Sequence, residues 1–165
     1  MKKVFLFLSF ILVFGAVSSS AQQMEKGNSI INIGAGFVPG IGGNVSYDYG
    51  LVDTWGPGLF TVGGFVGVNT WKYNNAYNIS SYRENVWAIA PRATYRYSFF
   101  PNFEAYVSAM LGLGIRSYSR YYDNDLFVFV GGTAGARYSF SPNFSVFAEV
   151  GYNTAYLNLG VSIKL

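Results

Sequence analysis

The sequence contains no cysteine and no histidine. Without cysteine there is no disulfide, so an exported form of the chain must be held together by other means. A lipid anchor on an N-terminal cysteine is excluded as well. Without histidine, Ser–His nucleophilic chemistry is impossible. Charged residues make up only 12% of the chain. Past the first 21 residues no segment has 18 consecutive apolar residues, so no helix there is long enough to span a bilayer. No Pro-rich, Ser-rich or charged linker divides the chain, which has the length of one domain.

The longest apolar run lies at the N-terminus. Met1-Lys2-Lys3 precedes "VFLFLSFILVFGAV" from Val4, and "SSSA" from Ser18 ends in small residues. This is the pattern of a secretory signal peptide, 1–21, with cleavage after Ala21. Its 14-residue apolar run falls short of ~30 Å of hydrocarbon at ~1.5 Å per residue. The domain proper is 22–165. Cleavage removes Lys2 and Lys3, so the formal charge of +3 falls to about +1. That balance gives no reason to expect a nucleic-acid partner.

What is present is aromatic and glycine-rich: 14 Tyr, 15 Phe, 3 Trp and 20 Gly. An apolar, aromatic, exported chain without a membrane helix points to a transmembrane β-barrel. The periodicity supports this. In "NFEAYVSAMLGLGIR" Phe103, Ala105, Val107, Ala109, Leu111, Leu113 and Ile115 alternate with Glu104, Tyr106, Ser108, Met110, Gly112, Gly114 and Arg116. Successive strand side chains point to opposite faces, so this is a two-faced strand. The same alternation predicts eight strands, at about 29–38, 41–50, 58–71, 85–99, 103–117, 126–140, 144–153 and 157–165. An even count suits a closed antiparallel barrel. Phe65 and Trp71 fall on the face opposite Phe60, Val62, Val66 and Val68, which predicts a bulge near Gly63-Gly64. Pro91 cannot donate to a ladder, which predicts a bulge or an unpaired carbonyl there.

Arg-Tyr-Ser-Phe-x-Pro-Asn-Phe occurs twice, from Arg96 and from Arg137. Pro and Asn suit a hairpin turn. Parity predicts pairing of Phe99 with Phe103, Ser98 with Glu104 and Arg96 with Tyr106, and of Phe140 with Phe144 and Arg137 with Phe147. Tyr97, Phe99, Phe103, Tyr138, Phe140 and Phe144 would then form an aromatic girdle at one membrane–water interface. The opposite face carries the charges. Arg96 lies diagonal to Glu104, and Arg137 diagonal to Glu149. Diagonal neighbours ~7–8 Å apart are within reach of long side chains. Charges on a sheltered face need partners, so a lumen network of Arg92, Arg96, Arg137 and Lys164 with Glu104, Glu149 and Asp48 is expected. The links "KYNNAYNISSYRE" and "SYSRYYDND" are long, polar and Tyr-rich, and would face outside. The Pro-Asn turns would face the periplasm. The outer links after strands one and seven are short, a departure from that asymmetry.

With these units, "YRYSFFPNFEAY" and "RYSFSPNFSVFAEVGY", the chain resembles the small eight-stranded outer-membrane barrels, the OmpA transmembrane domain and OmpX-like group in its short Bacteroidota form. "NLGVSIKL" resembles the C-terminal assembly signal of that group, with Asn158, Gly160, Ile163 and the terminal Leu165 where many members have Phe. The resemblance implies an all-β, closed up-and-down barrel in the bacterial outer membrane, a monomer among lipid and lipopolysaccharide, inserted by the barrel-assembly machinery. It covers roughly 28–165 and does not fix an activity.

Four functions compete. A non-enzymatic barrel with a structural or surface-interaction role would use Tyr77, Tyr82, Tyr118, Tyr121 and Tyr122, since Tyr is favoured at interfaces. A host or surface ligand would then be its partner. A narrow conduit or small-ligand channel would use the charged lumen, although eight strands leave an interior just wide enough for side chains. A lipid A-modifying enzyme of the PagP or PagL type would need a histidine that the chain lacks. A soluble lipocalin-type barrel would turn the apolar face inward and the Arg/Glu face outward. No cofactor or metal is implied. "GFVPGIGG" is not followed by a crossover helix and reads as a turn. Asp123 in "DND" and the glycan-acceptor pattern Asn78-Ile79-Ser80 read as solvated loop residues.

Overall fold

The computed structural model describes residues 24–73, 82–118 and 124–165. The leader, the cleavage site, Asn78–Ser80, Tyr77, Tyr121, Tyr122, Asp123 and the side chain of Tyr82 lie outside what is described. Eight strands run in chain order: β1 (Ser29–Phe37), β2 (Ile41–Asp53), β3 (Gly58–Tyr73), β4 (Tyr82–Phe100), β5 (Phe103–Tyr118), β6 (Asn124–Ser139), β7 (Phe144–Tyr152) and β8 (Leu157–Lys164). Each pairs antiparallel with the next, and β8 closes on β1 from Ile30↔Lys164 to Phe37↔Leu157. Closure satisfies the backbone without leaving a long edge in an apolar medium. Extending the eight registers around the sheet returns to β1 about ten residues from the start, which tilts the strands by about 40°.

The two-residue period sorts the faces as expected. On β5, Val107, Ala109, Leu111, Leu113 and Ile115 are exposed outward, while Glu104, Tyr106, Ser108 and Met110 are buried inside. The greasy face is outside and the ions are inside, the reverse of a soluble barrel.

Local irregularities differ from expectation in two places, and at Pro91 the structure takes one of the two expected forms. The β2–β3 ladder runs unbroken through Gly63 and Gly64, and its register shift lies between Gly50 and Val52. No parity switch is needed at the glycines, because Phe65 belongs on the inner face. A second shift lies between Ser98 and Phe100 on β4, so Phe100, not Phe99, pairs with Phe103. At Pro91 no residue is inserted. The β4–β5 ladder stops at Ile89↔Leu113 and resumes at Arg92↔Met110 in the same register, while Pro91 still faces Gly64 on β3. The proline is accommodated by a gap in one ladder.

The rims are unequal. β3–β6 are 16 to 19 residues long, whereas β7, β8 and β1 have 8 or 9. The long strands stand roughly 15 Å above the short ones at the end bearing the polar links. The short β7–β8 link turns inward there. Asn153, Thr154 and Ala155 are buried, the Asn69 side-chain amide donates to the Thr154 carbonyl at 2.7 Å, and the Tyr156 N–H donates to the Val38 carbonyl at 2.8 Å. That link is short because it caps the mouth instead of reaching out.

Candidate functional site: the lumen network and the lipid-facing surface

The lumen is filled in layers. Met24, Ile30 and Leu59 close the end where the Pro-Asn turns lie. Above them sits an ionic layer. Higher still, Phe65, Ala88, Ala90, Met110 and Phe129 form an apolar layer packed against Phe127. The Phe65 and Phe129 rings stack with centroids 6.1 Å apart and are 1% and 0% exposed. Near the mouth, Arg116 Nε lies 2.8 Å from Glu84 Oε1, with its guanidinium 5.3 Å from the centre of the Phe127 ring.

The ionic layer brings together six of the seven expected residues. Arg96 donates from Nη1 to Glu104 Oε1 at 2.7 Å and from Nη2 to Asp48 Oδ2 at 2.5 Å. Arg137 donates from Nη1 to the same Glu104 oxygen at 2.7 Å and from Nη2 to Asn32 Oδ1 at 2.7 Å. Arg92 donates to Glu149 Oε1 at 2.6 Å, to Ser108 at 2.8 Å and to Ser46 at 3.0 Å. Its Nε also stands 3.7 Å from Asp48 Oδ1, an ion pair too long to be a hydrogen bond. Asn32 donates to Ser46 and Asp48, Ser162 donates to Asn32, and Tyr106 donates to Glu149 at 3.0 Å. Two guanidiniums lie within cation–π range of the Tyr106 ring, Arg96 Cζ at 5.0 Å and Arg137 Cζ at 5.5 Å from its centroid.

Three guanidiniums thus face three carboxylates, all buried. Seven of the eight strands contribute a side chain; β3 joins through Thr61, which donates to the Thr94 carbonyl at 3.3 Å. Isolated charges in this setting would be prohibitively costly, so balance and hydrogen bonding are what the lumen demands. Asp48 Oδ1 and the Nε atoms of Arg96 and Arg137 are buried without a hydrogen bond among the described residues.

One expected pairing in this layer is corrected. Glu149 serves Arg92, not Arg137, and Arg137 goes to Glu104 instead. Arg137 stands directly opposite Glu104 on the β5–β6 ladder, nearer than the diagonal Glu149, and the Tyr106 ring lies against it, while Arg92 reaches across the narrow lumen from β4 to Glu149 on β7. Lys164 is half-buried opposite Ile30 on the β1–β8 ladder, with its backbone N–H on the Asn143 carbonyl at 2.9 Å. Asn32, Ser46, Tyr106 and Ser108 were missed as partners. Parity already put Tyr106 on the face of Glu104; which groups meet across the lumen has no sequence signature.

A second pattern is also sterically required. Four inward aromatic residues stand directly opposite glycines on a neighbouring strand, Tyr106↔Gly135, Phe127↔Gly114, Phe129↔Gly112 and Phe147↔Gly160, and at Gly135, Gly114 and Gly160 the ring itself fills the space a Cβ would take. A Cβ on Gly135 would stand 2.6 Å from the Tyr106 ring, and one on Gly160 2.6 Å from Phe147. The glycines make room for rings laid flat across them. Gly160 of the expected assembly signal is therefore also a packing residue. Asn158 is buried and accepts from the Asn44 amide at 2.7 Å, while Ile163 and Leu165 are exposed on the outer side.

At the turn end, the outward aromatics lie close together. Tyr97 and Phe99 rings are 4.9 Å apart, Phe99 and Phe103 6.4 Å, and Phe140 and Phe144 5.1 Å; Tyr138 is exposed on the same side. Tyr95, which alternation puts on the face of Tyr97 and Phe99, is exposed there too, as are Phe100 and Trp55, which were not anticipated. Phe100 reached the outer face only through a bulge that period-two reading does not see.

No protein-family profile matches the sequence, and no curated protein is similar to it. Solved structures are similar in fold. Ail, the attachment invasion locus protein of Yersinia pestis, is 15% identical, over 86% of this chain and 100% of that one, with a TM-score of 0.55. The N-terminal β-barrel domain of Pseudomonas aeruginosa OprF is 18% identical, over 86% and 100%, with a TM-score of 0.53. A de novo designed transmembrane β-barrel is 19% identical, over 87% and 100%, with a TM-score of 0.54. With a closed eight-stranded sheet, apolar residues outside and balanced ions within, the chain has the fold of the small eight-stranded outer-membrane β-barrels.

Proposed function

We propose that the chain is an integral outer-membrane protein that acts by presenting its tall β3–β6 sheet outside the cell, without enzymatic activity. The unequal rim carries this reading. Above the level of β7, residues 124–131 of β6 have no ladder partner on the β7 side among the described residues. Tyr118 ends β5 on the same half, and the sequences that join β3 to β4 and β5 to β6 are rich in Tyr. A projecting sheet with polar, tyrosine-rich tips suits contact with a surface partner. The ionic layer holds the barrel together rather than forming a reaction centre, and the Phe65–Phe129 layer stands against a conduit. A leader removed after Ala21 and a C-terminal signal of Asn158, Gly160, Ile163 and Leu165, read by the assembly machinery, would deliver the chain to the membrane.

Lys72 and Arg83 favour an anionic ligand. They stand directly opposite on the exposed side of the tall sheet. The pair makes this stretch of the projecting sheet basic, which suits an anion. An Ail structure contains the heparin analogue sucrose octasulfate, which makes heparin the probe to try.

Lysine labelling tests the topology. A membrane-impermeant amine reagent should modify Lys72 in intact cells and Lys26 only after the outer membrane is opened. Labelling of Lys26 first, or recovery of the protein in a soluble fraction, would refute the proposal. On immobilised heparin, the Lys72→Ala, Arg83→Ala double variant should elute at lower salt than the native chain.

A further inference from the structure

Trp55 is 94% exposed, in the turn between β2 and β3. With Leu51, Val52, Phe99 and Phe100 also exposed on the flanking strands, the turn belongs to an apolar patch of the kind that marks an interaction surface. The direction of the turn says where its partner lies. Thr54 Oγ1 is 3.4 Å from the hydroxyl of Tyr95, and a Cβ on Gly58 would come within 2.6 Å of the same hydroxyl. Tyr95 and Tyr97 are on the outer, lipid-facing side of β4. The turn therefore leans over the outer surface instead of across the lumen. Backbone bonds hold it there, from Thr54 N–H to the Gly58 carbonyl at 2.8 Å and from Ser98 N–H to the Pro57 carbonyl at 3.3 Å.

The two register shifts of the barrel flank this turn. Between Gly50 and Val52 the shift leaves both Leu51 and Val52 exposed outward. Between Ser98 and Phe100 the shift does the same for Phe99 and Phe100. A regular strand would turn every second one of these side chains inward. The bulges extend the apolar belt downward on this side of the barrel, and Trp55 stands among its lowest residues.

We propose that the Thr54–Pro57 turn is a membrane anchor, with Trp55 seated in the glycerol and headgroup zone of the periplasmic leaflet. The occupant follows from continuity: the patch is the lower margin of the lipid-facing belt. Indole suits that zone, having an apolar body and one N–H to donate to lipid ester carbonyls. The segment Asp53–Gly58 has no basic residue, so the anchor reads the depth of the interface and not lipid charge. This inference rests on the transmembrane reading above.

The chain has three tryptophans, Trp55, Trp71 and Trp87. A Trp71→Phe, Trp87→Phe variant leaves Trp55 as the reporter, and a Trp55→Phe, Trp71→Phe variant leaves Trp87 on the lipid-facing side of β4. Both are to be folded into phosphatidylethanolamine–phosphatidylglycerol vesicles. Trp55 should be quenched severalfold more by lipids brominated near the glycerol than by lipids brominated near the chain ends, regardless of the phosphatidylglycerol fraction. If Trp87 is quenched by brominated lipid while Trp55 responds only to aqueous acrylamide, the anchor is refuted and the membrane reading stands. If neither responds to brominated lipid, both fall. Should the double variants not fold, Trp55→Phe alone must remove the shallow quenching component of the native chain, and an unchanged component would refute the anchor.

Discussion

Replacing Glu104 with Gln should destabilise the barrel from inside. One oxygen of Glu104 accepts from both Arg96 and Arg137, each at 2.7 Å. The variant keeps the side-chain volume and removes the charge, so the lumen goes from three guanidiniums against three carboxylates to three against two. Breaking a buried pair by removing one partner costs about 3–5 kcal/mol. The two arginines are not equally harmed: Arg96 retains Asp48, while Arg137 retains the neutral Asn32. The expected loss is therefore near the lower end, about 3 kcal/mol, or roughly a 100-fold rise in the unfolding equilibrium constant. Urea unfolding in vesicles, followed by tryptophan fluorescence, measures it. Glu25→Gln, at an exposed position, should change stability by no more than about 0.5 kcal/mol. The double variant Glu104→Gln, Arg137→Gln restores the charge balance and should recover part of the loss, giving a coupling of about 0.5–3 kcal/mol in a double-mutant cycle. Equal midpoints for Glu104→Gln and the native chain, or strictly additive losses, would refute the account of the lumen.

Val107→Arg, on the lipid-facing side of β5, should cost about 2–4 kcal/mol in the same assay, whereas a soluble-type orientation would leave it near neutral. Gly160→Ala should cost about 1–3 kcal/mol, because its Cβ meets Phe147 and the Ile33 carbonyl; Gly64→Ala, with open space around it, should be neutral or mildly stabilising. In planar bilayers the native chain should conduct no more than the bare membrane. The Phe65→Ala, Phe129→Ala variant, which empties the stacked apolar layer, should show a measurable ionic leak, and an equal leak in both proteins would contradict that layer's sealing role.

Most of the barrel was legible before any coordinates. Strand starts at Ser29, Ile41, Gly58, Phe103, Phe144 and Leu157 coincide with the turn signals and the onset of alternation. The inward face of β5 followed from parity alone. The Pro-Asn hairpins paired Arg96 with Tyr106 and Arg137 with Phe147 as parity requires. Where reading failed, one residue had been inserted or a partner lay far along the chain. The bulge at Phe99 reverses parity for a single position, and nothing in "YSFFPNF" distinguishes it from a regular end. The inward fold of Asn153–Ala155 depends on Asn69 and Val38, which belong to other strands. The burial of Phe65 depends on Phe129, which stacks on it from β6.

The sequence by itself determined the number of strands, which face meets lipid and which side chains line the lumen. These are properties of a two-residue period and need only neighbours along the chain. The tertiary structure alone decided that Arg92 meets Glu149 and Arg96 meets Asp48, where the apolar layer seals the bore, and on which side the belt descends to Trp55. Those depend on the stagger and tilt with which the sheet closes, which bring together residues separated by dozens of positions and set the short distances across a barrel too narrow to hold solvent around its charges.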